Sequence, residues 1–100
     1  MRKIVLVCAQ GMSTGMLMNK MRTAAAKMGY ECSVEAYAVT QVRTKGEDAD
    51  VILVGPQIRY ELGAVKDMFP NKPVEMIAMT DYGRMNGENV IKTVKKLLGD

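Results

Sequence analysis

The sequence predicts an α/β fold: a single three-layer domain, with an open four-stranded parallel sheet and helices on both faces. Three observations predict it. Two apolar runs, residues 3–7 (K-I-V-L-V) and 50–54 (D-V-I-L-V), do not alternate with polar residues, as strands covered on both faces should not. Segments with a helical repeat of apolar residues stand between and after the predicted strands. The connections are short enough for right-handed crossovers, so the order β-α-β-(α)-β-α-β-α closes into one sheet.

Each element follows in turn. Residues 3–7 form the first strand. Leu17, Met21, Ala24 and Met28 recur at i, i+4, i+7 and i+11, the buried stripe of a helix from about residue 13 to 28. Asn19, Lys20, Arg22, Thr23 and Lys27 supply its solvent side, and Gly29 is placed to stop it. Residues 31–38 (E-C-S-V-E-A-Y-A) alternate weakly and read as a more exposed strand. Residues 38–48 leave room for one short helix, broken near Gly46. After the strand at 50–54, Ile58, Leu62, Val65 and Phe69 mark a second long helix, which Pro70-Asn71-Lys72-Pro73 ends. Gly63 costs that helix about 1 kcal/mol relative to Ala. Residues 74–79 (V-E-M-I-A-M) are the fourth strand, and Val90, Ile91, Val94, Leu97 and Leu98 mark the last helix. Lys92, Lys95 and Lys96 lie toward its negative dipole end.

One hundred residues make one domain, 1–100, able to bury about 65% of its unfolded surface without metal or disulfide staples. A net charge of +3 is too mild to indicate nucleic acid, and five scattered aromatics without Trp form no platform for stacked bases. The chain has no histidine, which excludes a Ser/His or Cys/His couple, His-ligated zinc and a phosphohistidine carrier. No metal site and no cofactor are expected. The apolar run after Arg2-Lys3 is too short for a secretory segment, and no window approaches the roughly 20 apolar residues that span a bilayer. Cys8 and Cys32 lie outside any C-x-x-C, which favours a reduced compartment. The expectation is a cytoplasmic chain with no direct membrane insertion.

In open parallel sheets the ligand site lies beyond the carboxyl ends of the strands. Cys8–Gly15, Gly55-Pro56-Gln57 and Thr80-Asp81-Tyr82-Gly83 should therefore meet. The first of these, Cys8-Ala9-Gln10-Gly11-Met12-Ser13-Thr14-Gly15, joins strand to helix with two glycines and two hydroxyls. Main-chain amides there, ahead of a helix N-terminus, make a cradle for phosphate and favour the thiolate of a cysteine facing it. Such a thiolate is suited to taking up a phosphoryl group. Beside this stands the plainer reading of a strand-end core cysteine followed by Ser13 as N-cap. Charge leans toward the first: residues 1–30 hold five basic side chains and no acid, while the remainder is net −2.

Rival sites fit less well. Gly15 is followed by Met16 rather than the Lys of a Walker loop, and two glycines do not make a dinucleotide fingerprint. In the C-x5-R loop of a cysteine phosphatase, the arginine position counted from Cys8 is Thr14. A stand-alone low-molecular-weight phosphatase-like hydrolase would lack the guanidinium that clamps the transferring group. Holding phosphocysteine stays feasible while its hydrolysis becomes poor, as a carrier requires. A non-catalytic module in which Cys8 only packs is the third reading.

The strand-Cys8-Ala9-Gln10-Gly11-Met12-Ser13-Thr14-Gly15-helix unit resembles that of the IIB components of the lactose/cellobiose family of the bacterial phosphoenolpyruvate-dependent sugar phosphotransferase system. Residues 49–57 (A-D-V-I-L-V-G-P-Q), 70–75 (P-N-K-P-V-E) and Tyr82-Gly83 are also similar to that family. The resemblance implies a fold akin to low-molecular-weight tyrosine phosphatases. It implies a phosphotransferase active only with its partners, in which Cys8 takes phosphate from a phosphohistidine of a IIA component. The acceptor it implies is a sugar of the cellobiose, lactose or chitobiose class, bound by a membrane IIC component. By position Cys8 is the phosphorylation site, and Ala9, Gln10, Gly11, Met12, Ser13, Thr14 and Gly15 form the phosphate loop. Ala9-Gln10 departs from the common form, which often has Ser then Ala.

Three further residues are candidates for the pocket. Gln57 or its backbone lines the site, or belongs to a mere turn. Asp81 stands roughly where a phosphatase-like general acid approaches, although a thiolate leaving group hardly needs protonation at neutral pH. Tyr82 bounds the pocket or the partner surface. Cys32, at the opposite end of the sheet, reads as a structural thiol, and Met12 and Met16 as an apolar rim.

Overall fold

The computed structural model describes residues 1–9 and 12–100, with Met12 and Ser13 described only as helical backbone. Ile4, Val5, Leu6 and Val7 are wholly shielded from solvent, which makes β1 (Arg2–Cys8) the inner strand its sequence suggests. It pairs in parallel with β2 (Cys32–Ala38) on one side and β3 (Val51–Val54) on the other, and β4 (Val74–Met76) completes the sheet on β3. The order β2-β1-β3-β4 is the open parallel arrangement expected.

Period-two alternation divides the strands between two cores. Ile4, Leu6, Val34, Val51 and Leu53 face α1 (Met12–Met28) and α5 (Gly87–Leu98). Val5, Val7, Ile52 and Val54 face the other layer, with Val42 from α2 (Val42–Lys45) and Val65 from α3 (Leu62–Met68). Leu17, Met21 and Ala25 are the buried line of α1, while Ala24 and Met28 pack at its margin. Gly29 stops that helix at φ +67, a left-handed value that glycine adopts without steric cost.

The break near Gly46 is as expected, with a 3-10 turn (Val39–Gln41) leading into α2. Two boundaries differ from the sequence reading. The second long helix is in fact a 3-10 segment, Pro56–Glu61, followed by α3, because Ile58 leaves the helical region at φ −119, ψ 35. The apolar spacing survives that kink, since Ile58 and Val65 both reach the core. The fourth strand stops at Met76 rather than at residue 79. Ile77 makes a last bond to the Val54 carbonyl, but beyond it Gly55-Pro56 turns β3 away, and the Ala78 carbonyl instead accepts from the Tyr82 N–H. Met79 therefore opens a short helix, α4 (Met79–Gly83).

Helix α5 starts at Asn86, whose side chain accepts the Asn89 N–H, and ends at Gly99 in the left-handed region. A Cβ on Gly87 would lie 2.4 Å from the Lys20 carbonyl carbon, so this glycine lets α5 and α1 meet backbone to backbone. The open edge of β2 is covered from α1. Arg2 N–H bonds the Glu31 carbonyl, so alternate groups of β2 face β1 and the Val34 carbonyl points outward. Arg22 donates to that carbonyl twice, at 2.6 and 3.0 Å.

The amino ends of the strands are tied by charge. Arg2 grips Asp100 with two bonds of 2.9 Å, Tyr30 donates to the same carboxylate at 2.5 Å, and Lys3 pairs with Asp48 at 2.6 Å. The Arg2 and Tyr30 bonds hold the Asp100 carboxyl down at about 2. Burial first, and the bond to Asp100 second, push the Tyr30 phenol up to about 12.

Candidate functional site

Cys8 is the last residue of β1, at the carboxyl end of the sheet, and only 6% exposed. As a thiol it donates to the Tyr37 carbonyl, with the sulfur 3.6 Å from that oxygen. Ala9 is an exposed bend, and three positions later, at Met12, the chain is in α1. Gln10 and Gly11 lie outside the described residues, as do the side chains of Met12 and Ser13. The first turn of a helix carries N–H groups without partners in the helix, and that of α1 contains no acidic residue.

Thr14, in that first turn, is only 2% exposed. Its hydroxyl is hydrogen-bonded to the Tyr82 hydroxyl at 3.0 Å. Two of the candidates named from sequence, Thr14 and Tyr82, are thus joined across 68 positions. Gly15 is half-buried, with space around the place of a Cβ. Met16 is exposed on the next turn.

Beyond the ends of β3 and β4 lies an open cavity of about 430 Å3. Pro56, Gln57, Arg59 and Tyr60 form one wall, and Met79, Tyr82 and Gly83 the other. Gln57 and Tyr82 stand together here, as two candidates should. Asp81 does not join them: it lies on a separate cleft with Thr93 and Val90, and Asn89 donates to both of its carboxylate oxygens at 2.9 Å. The expected loop around it is instead the single turn of α4, which directs Tyr82 one way and Asp81 the other.

Arg59 and Tyr60 escaped the sequence reading. They lie off the apolar repeat that marked the predicted helix, and the 3-10 winding after Gly55-Pro56 brings them beside Gln57. Pro56 directly after the strand was the available signal. Tyr60 and Met79 remain 77% and 63% exposed, so the cavity has an apolar lip.

Cys32 pairs in register with Arg2, while Cys8 pairs with Ala38, so the two thiols occupy opposite ends of neighbouring strands. Burial pushes the Cys32 thiol up. Among the described residues no cluster of three or more His, Cys, Asp or Glu could hold a metal ion, and no helix is long and apolar enough to cross a membrane.

Comparison with known proteins adds to this geometry. Residues 3–93 match the family model of the lactose/cellobiose-specific IIB subunit of the phosphotransferase system. The chain is 35% identical over 102 positions to the galactose-specific EIIB component of Lactococcus lactis, covering 95% of this chain and 94% of the relative. To the oligo-beta-mannoside-specific EIIB component of Bacillus subtilis it is 34% identical, covering 98% and 97%. The solution structure of the cellobiose-specific IIB component of Borrelia burgdorferi superimposes with a TM-score of 0.82 at 32% identity, over 98% of this chain and 92% of that one. A lactose-specific IIB domain from Streptococcus pneumoniae, only 15% identical, shares the fold with a TM-score of 0.85 over 96% of each chain. With a family model spanning nearly its whole length, the chain belongs to the lactose/cellobiose-specific IIB subunits of the phosphotransferase system.

Proposed function

We propose that this chain is a phosphoryl carrier in which Cys8 is the covalent acceptor. The observation that carries the reading is the placement of Cys8 as the last residue of an inner strand, just ahead of a 17-residue helix with no acid in its first turn. The donor is a phosphohistidine of a IIA component. The Cys8 thiolate attacks phosphorus in line, the S–P bond forms as the P–N bond breaks, and the electron pair returns to the imidazole. Main-chain N–H groups of residues 9–15 hold the equatorial oxygens, and no metal or cofactor takes part.

The second transfer delivers the phosphoryl group to a sugar hydroxyl held by a membrane IIC component on the cytoplasmic side. The O–P bond forms, the S–P bond breaks and the thiolate is restored. The hydroxyl proton goes to a base on the membrane component, because this chain has no histidine and its Asp81 carboxylate is engaged by Asn89. The family's lactose/cellobiose description and relatives named for galactose, cellobiose and oligo-beta-mannoside support a sugar of the cellobiose or lactose type as the substrate.

Incubation with the general phosphotransferase proteins and a phosphorylated IIA of the lactose/cellobiose family tests this by intact mass. The expected gain is one phosphoryl group per chain, absent in Cys8→Ser. Sustained hydrolysis of a small phosphoester by the isolated chain would instead make it a phosphatase.

A further inference from the structure

Thr14 and Tyr82 form a buried pair of neutral hydroxyls at the head of α1, and their surroundings give that pair a task. Tyr82 belongs to α4, a single turn whose Tyr82 N–H bonds the Ala78 carbonyl. Its neighbour Asp81 is clasped by the Asn89 amide of α5. The start of α5 touches α1 again at Gly87, against the backbone of Lys20 and Met21. Helix α1 is therefore held to the α4–α5 corner at two levels, by a hydroxyl pair in its first turn and by a backbone contact two turns on. A helix fixed at the second level alone could still tilt its first turn, and with it the N–H groups that aim at the Cys8 end.

We infer that Tyr82 is a positioning residue: through Thr14 it sets the first turn of α1 at the distance and angle from Cys8 that phosphoryl transfer needs. This rests on the reading of Cys8 as acceptor. Counted from Cys8, Thr14 stands at the arginine position of the cysteine-phosphatase loop, and with Tyr82 it contributes geometry without adding charge. Tyr82 also forms part of the cavity wall, so the same ring joins the cavity to the helix head.

The test measures the rate of Cys8 phosphorylation at varied concentrations of a phosphorylated IIA of the family, by rapid quench and intact mass. Tyr82→Phe keeps the ring and removes only the hydroxyl. Its maximal rate should fall about tenfold to a hundredfold, as for a misplaced reacting geometry, with little change in the donor concentration giving half-maximal rate. Thr14→Val should match it, Thr14→Ser should restore wild-type transfer, and the double variant Thr14→Val/Tyr82→Phe should lose no more than either alone. A merely structural role would lower the urea midpoint and leave the maximal rate of the folded protein unchanged. A Tyr82→Phe rate within twofold of wild type, or losses that multiply in the double variant, would overturn the positioning role while leaving Cys8 as acceptor. Absence of phosphate uptake by the wild type would overturn both.

Discussion

The two ends of this parallel sheet are built on opposite electrostatic plans. At the amino ends, Arg2, Lys3, Asp48, Asp50 and Asp100 compensate one another in a set of ion pairs, closed over by Tyr30. At the carboxyl ends the described contacts include a thiol on a carbonyl and a hydroxyl on a hydroxyl, and the carboxylate of Asp81 is met by a neutral amide rather than a cation. Arg59, on the cavity wall, joins no ion pair among the described residues. The contrast teaches how one layer of strands separates stability from chemistry. If the carboxyl end receives a phosphoryl group as proposed, the lack of an acid in the first turn of α1 and the turning of Asp81 toward Asn89 suit it to an anion. At the amino ends Arg2 and Lys3 are instead each paired with carboxylates.

The comparison is broken most severely by exchanging the roles of the two cysteines. Cys8→Ser should lose all phosphate uptake, whereas Cys32→Ser, at the compensated end, should stay within twofold of wild type in the same mass assay. Next in size is the contact that locks α1 to α5. The Cβ of Gly87→Ala would meet Lys20 and Met21 backbone that cannot step aside, and urea unfolding should show a loss of about 2–3 kcal/mol. Gly63→Ala sharpens that result as its opposite. A Cβ there meets nothing within 4 Å, so the exposed helix position should gain up to about 1 kcal/mol.

The smallest effect belongs to the exposed ion pairs. Because Asp100 is held at about 2, below its ordinary value, its contribution is complete above the usual carboxylate range and disappears as pH falls through about 2. Thermal unfolding of Asp100→Asn should therefore lie slightly below wild type at neutral pH and converge with it in strong acid. A gap independent of pH would mean that the pairing contributes nothing.

Much of this was legible in the chain itself. Two non-alternating runs around Ile4–Val7 and Val51–Val54 marked inner strands, because burial on both faces leaves no polar position. Gly29 marked a helix end, because few other residues tolerate its backbone angle. Cys8 was legible as the strand-end residue before a glycine-containing loop, although Gln10 and Gly11 lie outside the described residues.

What could not be read depended on distant partners. The length of β4 is set by where β3 departs, and Ile58 sits in an unwound turn that apolar spacing alone cannot reveal. The bond between Thr14 and Tyr82 has no local pattern at all. Asp81 shows the limit plainly: its neighbour in sequence reaches the cavity, while one residue of rotation in α4 delivers its own carboxylate to Asn89.

The guanidinium of Arg22, laid over the outer carbonyl of β2, has a consequence for how the molecule behaves in company. An unpaired strand margin is an invitation to ribbon growth between copies, and this one is partly spoken for by a cation from its own helix. On the far side, three residues entered through Pro73 are too short a template to recruit a stranger. Crowded solutions should therefore keep these molecules separate.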